Sequence, residues 1–489
     1  MKNDFVLNDL LKRKSYLFKE NYCPNINVNF DYLSEDLKKI IKSSNVYRYD
    51  IYKYLKDEKV ISFGGGNPLK WKQYKFVKKD IDYYLKENNT NQYPNTIGDF
   101  KVKKNLIGYL NSIGIKSRNE EEIIITSSTT QAYSLILKTV LRKNDVILIP
   151  VPTYNLFLYE PLKLGSNIEL VKFDQKLNWK INLENLKKQI IDINKKLFLI
   201  HKKDEYIPKV AAIYFQNPNN PLGISYGYKD KKYLHELAKL CYKQKVLIIE
   251  DLIYRDSVYD SEYSSFSLNS FDEYKDNIIS FFGISKSYSL ASLRAGFIVA
   301  NKYFIQDIRD NIFLDQDSVS MLSQIALASV FTDNYMKANY RKKYLVDINK
   351  QYELNLSILK YFILGALTIP NKDRKIIENN LTIDEIKYYK KGNNILSFYN
   401  GIIPMSGFFA LIDFSKLKSK KINENIIKSD NDLLIELFKH SKIKFIPGTA
   451  CGVLDAEKIV GRITFSSYYL ELIDKMKILM NVIIKLMEL

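Results

Sequence analysis

The sequence predicts an α/β protein with a large domain built on a mostly parallel seven-stranded sheet flanked by helices. A smaller α+β domain is formed by the N- and C-terminal parts. Three observations lead there. Between residues 120 and 300, short apolar runs alternate with amphipathic stretches, as strands and helices do in βαβ units. From about residue 303 the pattern changes to long helical stretches and then to a mixed region. The residues that follow the apolar runs are polar and specific in type, at the strand ends where parallel sheets bind ligands. The expected division is an arm and part of the small domain at 1–66, the large domain at 67–315 and the small C-terminal domain at 316–489.

The predicted strands are 123–126, 146–150, 168–173, 210–215, 246–250, 278–282 and 296–300, each too short for a helix. Helical spacing is clearest at 229–242. The first run leads into Thr126, Ser127, Ser128, Thr129, Thr130 and Gln131, and the second into Pro152, Thr153 and Tyr154. The fourth leads into the segment from Gln216 to Gly223, the fifth ends on Asp251, and the sixth leads to Ser285 and Lys286. In the C-terminal part, 408–414 and 443–446 read as strands. Residues 194–209 and 371–391 are polar and lysine-rich and read as surface insertions.

Composition narrows the class of protein. Apolar residues at 46% and charged residues at 26% suit a soluble globular chain and exclude a wholly disordered one. No apolar run approaches the roughly 18 residues of a membrane helix, and Asp4, Asp9 and Glu20 interrupt the opening segment. No membrane partner and a cytoplasmic location are expected. Cys23, Cys241 and Cys451 are odd in number and far apart, which fits a reduced compartment better than a disulfide framework. The formal charge of +19 comes from scattered lysines, and the runs at 101–104 and 416–421 read as solvated faces, so no nucleic-acid partner is expected. His201, His235 and His440 sit in no ligand or nucleophile motif, and no metal is expected.

Several strand-end residues form a chemical set. A lysine is ordinarily a surface charge, but Lys286 follows an apolar strand and shares its segment with Arg294. A desolvated amine loses its proton more readily and can form a Schiff base with an aldehyde, and a guanidinium pairs bidentately with phosphate. Asp251 closes an apolar run, where a carboxylate needs a partner; a protonated pyridine nitrogen is one, and a helix cap or surface ion pair is another. Tyr254 lies three residues on and can reach the same ring. Residues 217–223 form a turn by composition, and Asn220 in it can donate to a ring hydroxyl. Ser128 and Thr129 open a predicted helix, whose N–H groups bind phosphate. Tyr154 can stack on a planar ring or serve as a buried structural tyrosine.

Taken in order, the motifs resemble those of the pyridoxal-phosphate-dependent class I/II aminotransferases, which have the aspartate-aminotransferase fold. GISKSYSLASLRAGF at 283–297 is the strongest match, followed by NPNNPLG at 217–223 and EDLIY at 250–254. ITSSTTQA at 125–132, PVPTY at 150–154, FGGGNP at 63–68, PGTACG at 447–452 and GRITFS at 461–466 are weaker. The likeness spans roughly residues 60 to 470. It implies that pyridoxal 5'-phosphate is bound through a Schiff base to Lys286, with Asp251 on the pyridine nitrogen and Asn220 and Tyr254 on the ring oxygen. Ser128, Thr129, Ser285 and Arg294 would surround the phosphate, and Tyr154 would stack on the ring. Gly66 and Arg462 would receive the substrate carboxylate. Tyr93 aligns with a tyrosine that reaches the phosphate of a neighbouring subunit, which implies a homodimer.

The reaction so implied is transfer of an amino group from an L-amino acid to a 2-oxo acid, with Lys286 moving the proton. A lyase or decarboxylase on the same fold is the first alternative, and a non-catalytic cofactor-binding regulator the second. Two departures stand out. Gly283 occupies a place where the family usually has Ser or Thr, which predicts one phosphate hydroxyl fewer, and Leu222 stands where Thr is commoner. The triplet Gly64, Gly65 and Gly66 lacks the rest of a dinucleotide fingerprint and reads as a substrate-side loop.

Overall fold

The structure is a computed structural model that describes residues 33–54, 59–87, 90–259, 264–422 and 425–488. Cys23, the acids Asp4, Asp9 and Glu20, and residues 1–32 of the expected arm lie outside the described residues.

Strand β1 (Ile61–Ser62) precedes the large sheet. That sheet contains β2 (Ile123–Thr126), β3 (Val146–Val151), β4 (Asn167–Asp174), β5 (Lys180–Ile181), β6 (Val210–Gln216), β7 (Leu247–Asp251), β8 (Ile278–Gly283) and β9 (Gly296–Val299). Their order across the sheet is β2-β9-β8-β7-β6-β3-β4-β5. The four central pairings are parallel, β9 runs antiparallel to β2 and β8, and β5 is antiparallel to β4. The predicted seven strands thus become eight. The added β5 is two residues long, too short to leave a periodic signal.

Strands β3, β6 and β8 are buried at every residue because helices cover both faces. Alternation still sorts their side chains. Ala212, Tyr214, Ile249, Ile279 and Phe281 join one core cluster, while Ile213, Phe215, Ile248 and Ile278 join the other. Each large apolar side chain removed from water contributes about 1.5–3 kcal/mol, so the strand ends rest on a rigid platform. By the same parity Gln216 and Asp251 share the face of Tyr214 and Ile249.

The C-terminal part contains β10 (Ser397–Phe398), β11 (Phe409–Asp413), β12 (Lys421–Ile422), β13 (Asn425–Ile426), β14 (Ile443–Lys444), β15 (Ile446–Pro447) and β16 (Val460–Thr464). An antiparallel sheet runs β10-β11-β16-β15, and β12 pairs with β13. The predicted strand at 443–446 is split: β14 pairs in parallel with β1, whereas β15 joins β16. The Glu35–Arg48 helix, capped by the Ser34 side chain, packs on the Thr449–Cys451 turn and the Asp430–Ser441 helix. Ser43 Oγ donates to Asn431 Oδ1 at 2.8 Å across that contact. The ends of the described chain therefore come together in one layer. The Tyr335–Leu364 helix packs along Tyr469–Glu488, and Asn355 Nδ2 bonds the Phe465 carbonyl at 2.7 Å.

Both lysine-rich stretches lie largely at the surface, as expected, but each is partly helical. The Leu183–His201 helix takes up the first half of 194–209. Residues 371–391 form the helices Asn371–Glu378 and Ile383–Tyr389, which bury Ile377 and Tyr389 in the core. An inward apolar anchor in each short helix docks a segment whose remaining face is charged.

Candidate active site

The carboxyl ends of β6, β7 and β8 face β16 across a narrow cavity of about 90 Å³. Gly66, Thr129, Tyr154, Asn220, Asp251, Tyr254, Lys286 and Arg462 all line it. Ser128, Ser285 and Arg294 lie just outside the lining. Tyr93 is not brought to this cavity; it is 87% exposed on the surface. Thr130, Phe157, Gln216, Ile253 and Phe409 also line the cavity and were not singled out from sequence.

Lys286 follows β8 after Ile284 and Ser285, and its Nζ donates to the Gly66 carbonyl at 2.6 Å. Burial pushes its amine down to about 8, helped by the positive charges of Arg462 and Arg294 and opposed by Asp251. At neutral pH a useful fraction of this amine is a free nucleophile or base.

Asp251 is buried at the end of β7. Its Oδ2 accepts from the Tyr214 hydroxyl at 2.7 Å and from Gln216 Nε2 at 2.8 Å, and Oδ1 accepts from the Ile253 N–H at 3.0 Å. Burial pushes the carboxyl up to about 6, while those three donors and Lys286 oppose the shift. Tyr214 and Gln216 share one parity of β6, which the sequence shows, but it is the register with β7 that sets that face beside Asp251.

Arg462 is held by the pairing of β16 with β11 and β15, which sets it opposite Leu411 and Ile446. It is 2% exposed, with its guanidinium carbon 4.5 Å from the Phe409 ring centre. Nη2 donates to the Gly64 carbonyl at 3.1 Å and Nη1 to Asn220 Oδ1 at 3.3 Å. Its buried Nε has no hydrogen-bond partner among the described residues. Tyr254 is edge-on to Phe408 and Phe409, each with ring centres 5.7 Å away, and burial raises its phenol well above the ordinary value. Tyr154 packs edge-on to Phe157, with ring centres 5.3 Å apart.

On the opposite side, Ser128 caps the Thr129–Val140 helix, its Oγ accepting from the Gln131 N–H at 3.2 Å. A helix start favours an anion, and Thr129 and Thr130 of this one line the cavity. The departure at Gly283 has a steric cause. A Cβ there would lie 2.8 Å from Thr129 Cγ2 and 2.9 Å from Ile253 Cδ1, so Thr129 fills the space of the missing side chain. Leu222 is buried in the core, where a hydroxyl would need a partner.

The set comprises an amine that deprotonates near neutral pH, a carboxylate held by neutral donors, a helix start and an orphaned buried guanidinium nitrogen. It fits an aldehyde, a basic ring nitrogen, a phosphate and a carboxylate in turn.

Comparison with known proteins agrees. Residues 58–354 match the family described as aminotransferase class I and II. A dihydroxyacetone phosphate transaminase of Campylobacter jejuni is 29% identical over 351 residues, which cover 72% of this chain and 82% of that one. The glutamate-pyruvate aminotransferase AlaA of Haemophilus influenzae is 20% identical over 393 residues, covering 80% and 82%. The fold is shared with an aspartate aminotransferase of Rhizobium meliloti, with a TM-score of 0.69 and 18% identity over 92% of this chain and 96% of that one.

Proposed function

Because the chain belongs to the class I and II aminotransferases, we propose that its transaminase chemistry is carried by Lys286, Asp251 and Arg462 in the cavity between the two sheets. The enzyme depends on pyridoxal phosphate and transfers amino groups between amino acids and 2-oxo acids. The cofactor, when bound, supplies an aldehyde that takes up the amino group and a ring that disperses the electron pair left by the departing α-proton.

Lys286 Nζ would hold the cofactor through its aldehyde and, when free, would serve as the base that takes the substrate α-proton and later gives it back. The lowered proton affinity of its amine suits both tasks. Asp251 holds a proton on the ring nitrogen, which keeps the ring electron-poor. Asn220 and Tyr254 bond the ring oxygen, and Tyr154 covers a ring face. Ser128, Thr129, Ser285 and Arg294, joined by Thr130, hold the phosphate, and Thr129 compensates by position for Gly283. Arg462 receives the substrate carboxylate, offering the unpaired Nε and trading its Gly64 and Asn220 contacts, while the Gly66 backbone orients the same group.

The observation that carries this reading is one cavity at the strand ends that brings together a buried carboxylate, a buried guanidinium and a half-buried amine. Its test is the visible absorption spectrum of the purified protein, before and after single amino acids are added without acceptor. Conversion of the cofactor band to that of its aminated form is expected. A protein that binds no cofactor, or accumulates product without that conversion, would defeat it.

A homodimer in the cytoplasm completes the proposal. The exposed Tyr93 is suited to reach the phosphate of a partner subunit, and Cys241 and Cys451 are both free. No helix among the described residues is long and apolar enough to cross a membrane. A monomer of full activity in sedimentation would remove the role of Tyr93.

A further inference from the structure

Gln216 ends β6 with its Cα directly opposite that of Asp251, and the Asn217 N–H bonds the Asp251 carbonyl at 3.0 Å. The register thus brings the two side chains together on one face. Gln216 is 5% exposed and both ends of its amide are used. Nε2 donates to Asp251 Oδ2 at 2.8 Å, and Oε1 accepts from the Asn220 N–H at 2.8 Å. The carboxylate can only accept and the N–H can only donate, so the orientation of the amide is fixed by its partners.

We propose that Gln216 is a positioning residue that sets the spacing between Asp251 and Asn220, and with it the fit of two different atoms of the cofactor ring. The proposal rests on the roles given above to those two residues. The ring is rigid, so the acceptor for its nitrogen and the donor for its oxygen must be held at one separation. A single amide bonded to the Asp251 carboxylate and to the Asn220 backbone provides that, because the backbone fixes where the Asn220 side chain starts. Being neutral, Gln216 also leaves the negative charge of Asp251 for the ring nitrogen, which a lysine or arginine in its place would neutralise. The other donors to Asp251, the Tyr214 hydroxyl and the Ile253 N–H, are neutral as well. An apolar residue at 216 would lose both bonds, and a carboxylate could keep only the one to Asn220 when ionised.

The test uses the full-length enzyme loaded with cofactor labelled with nitrogen-15 at the ring position. In Gln216→Met the ring-nitrogen signal should move toward the unprotonated form. The kcat should fall about ten- to a hundredfold, the worth of a hydrogen bond to a charged group, while KM for the amino acid changes less than about threefold. Wild-type signal and wild-type kcat in this variant would overturn the proposal. Should Gln216→Met fail to fold, Gln216→Glu gives an independent reading. Its carboxyl donates to Asp251 only when protonated, so the cofactor absorption should show a pH step that wild type lacks. The titratable groups facing Asp251 are Tyr133, Tyr214, Tyr254 and Lys286; burial raises the three phenols well above the ordinary value, and Lys286 is engaged by the cofactor in wild type and variant alike, so any step at its nitrogen is common to both. A profile identical to wild type would overturn the proposal. Wild-type protein that binds no cofactor would defeat the reading of the site itself, before any variant is compared.

Discussion

Asp251 ends β7 in the large sheet, and Asp430 opens a helix beside the Thr449–Cys451 turn in the small domain. Their exposures are 1% and 3%, and burial pushes each carboxyl up to about 6. Their surroundings differ. Both oxygens of Asp251 accept hydrogen bonds, and a reactive amine and a guanidinium lie across the cavity. Asp430 Oδ2 accepts from the Thr449 N–H at 2.7 Å, while its Oδ1 has no partner among the described residues. The free Cys451 thiol lies nearby, but burial raises its proton affinity and keeps it in the unreactive protonated form. Desolvation alone therefore does not identify a working carboxylate; the chemistry of the groups it faces does.

The largest expected effect comes from removing the amine across the cavity from Asp251. Lys286→Ala should lower turnover by at least about a thousandfold, within the range of lost acid–base catalysis, with cooperative unfolding retained. Stopped-flow single turnovers and a melting curve check both halves. Retained turnover would show that Asp251 faces the wrong lysine, and the contrast with Asp430 would lose its basis. Asp251→Asn keeps the shape and removes the charge. A loss of about a hundredfold in kcat with cofactor still bound is expected, the scale of a lost electrostatic contact to the reacting system. Equal effects from Asp251→Asn and Asp430→Asn would break the comparison outright.

Much of this contrast was legible before the structure. The apolar runs marked seven strands of the large sheet, and the residues after them supplied Lys286, Asp251, Asn220 and Tyr154. Such runs carry their own signal because a buried parallel strand is apolar throughout. What escaped came from pairing rather than from local pattern. Tyr214 and Gln216 matter because the register of β6 with β7 sets them against Asp251, and a chain read linearly does not state its register. Phe409 matters because β11 lies beside β16. The steric cause of Gly283 needed Thr129 in space. The helices at 371–391 were hidden by lysines on their outer faces, which outweigh the few inward apolar residues.

Tyr214→Phe sharpens the comparison by making Asp251 more like Asp430, with one hydrogen bond fewer. The carboxyl should become harder to ionise, because that bond holds its proton affinity down. A fall in kcat of about tenfold is expected, the lower end for a hydrogen bond to a charged group because Gln216 and the Ile253 N–H still donate, with the ring-nitrogen signal moving in the same direction as in Gln216→Met. An unchanged signal would mean that Asp251 does not depend on its donors.

The smallest expected effect on turnover, and the clearest on stability, comes from Asp430→Asn. The folded carboxyl binds its proton more tightly than the unfolded one, about 6 against an ordinary 3.8. Between those values the folded state holds more protons, so stability contributed by this group is present at low pH and lost as pH rises through about 6. The loss is on the order of 2–3 kcal/mol for a shift of this size. Asparagine stays neutral, so the variant should lack that decline while turnover stays within about twofold of wild type, a surface-like effect on the chemistry. In cofactor-free protein Asp251 adds a decline of the same sign. Loading the cofactor should remove the Asp251 part alone, because a cationic ring nitrogen then offsets its charge. Melting temperatures from pH 4 to 7, with and without cofactor, separate the two aspartates. A pH slope identical in wild type and Asp430→Asn would show that the small-domain carboxyl is not desolvated as its burial implies.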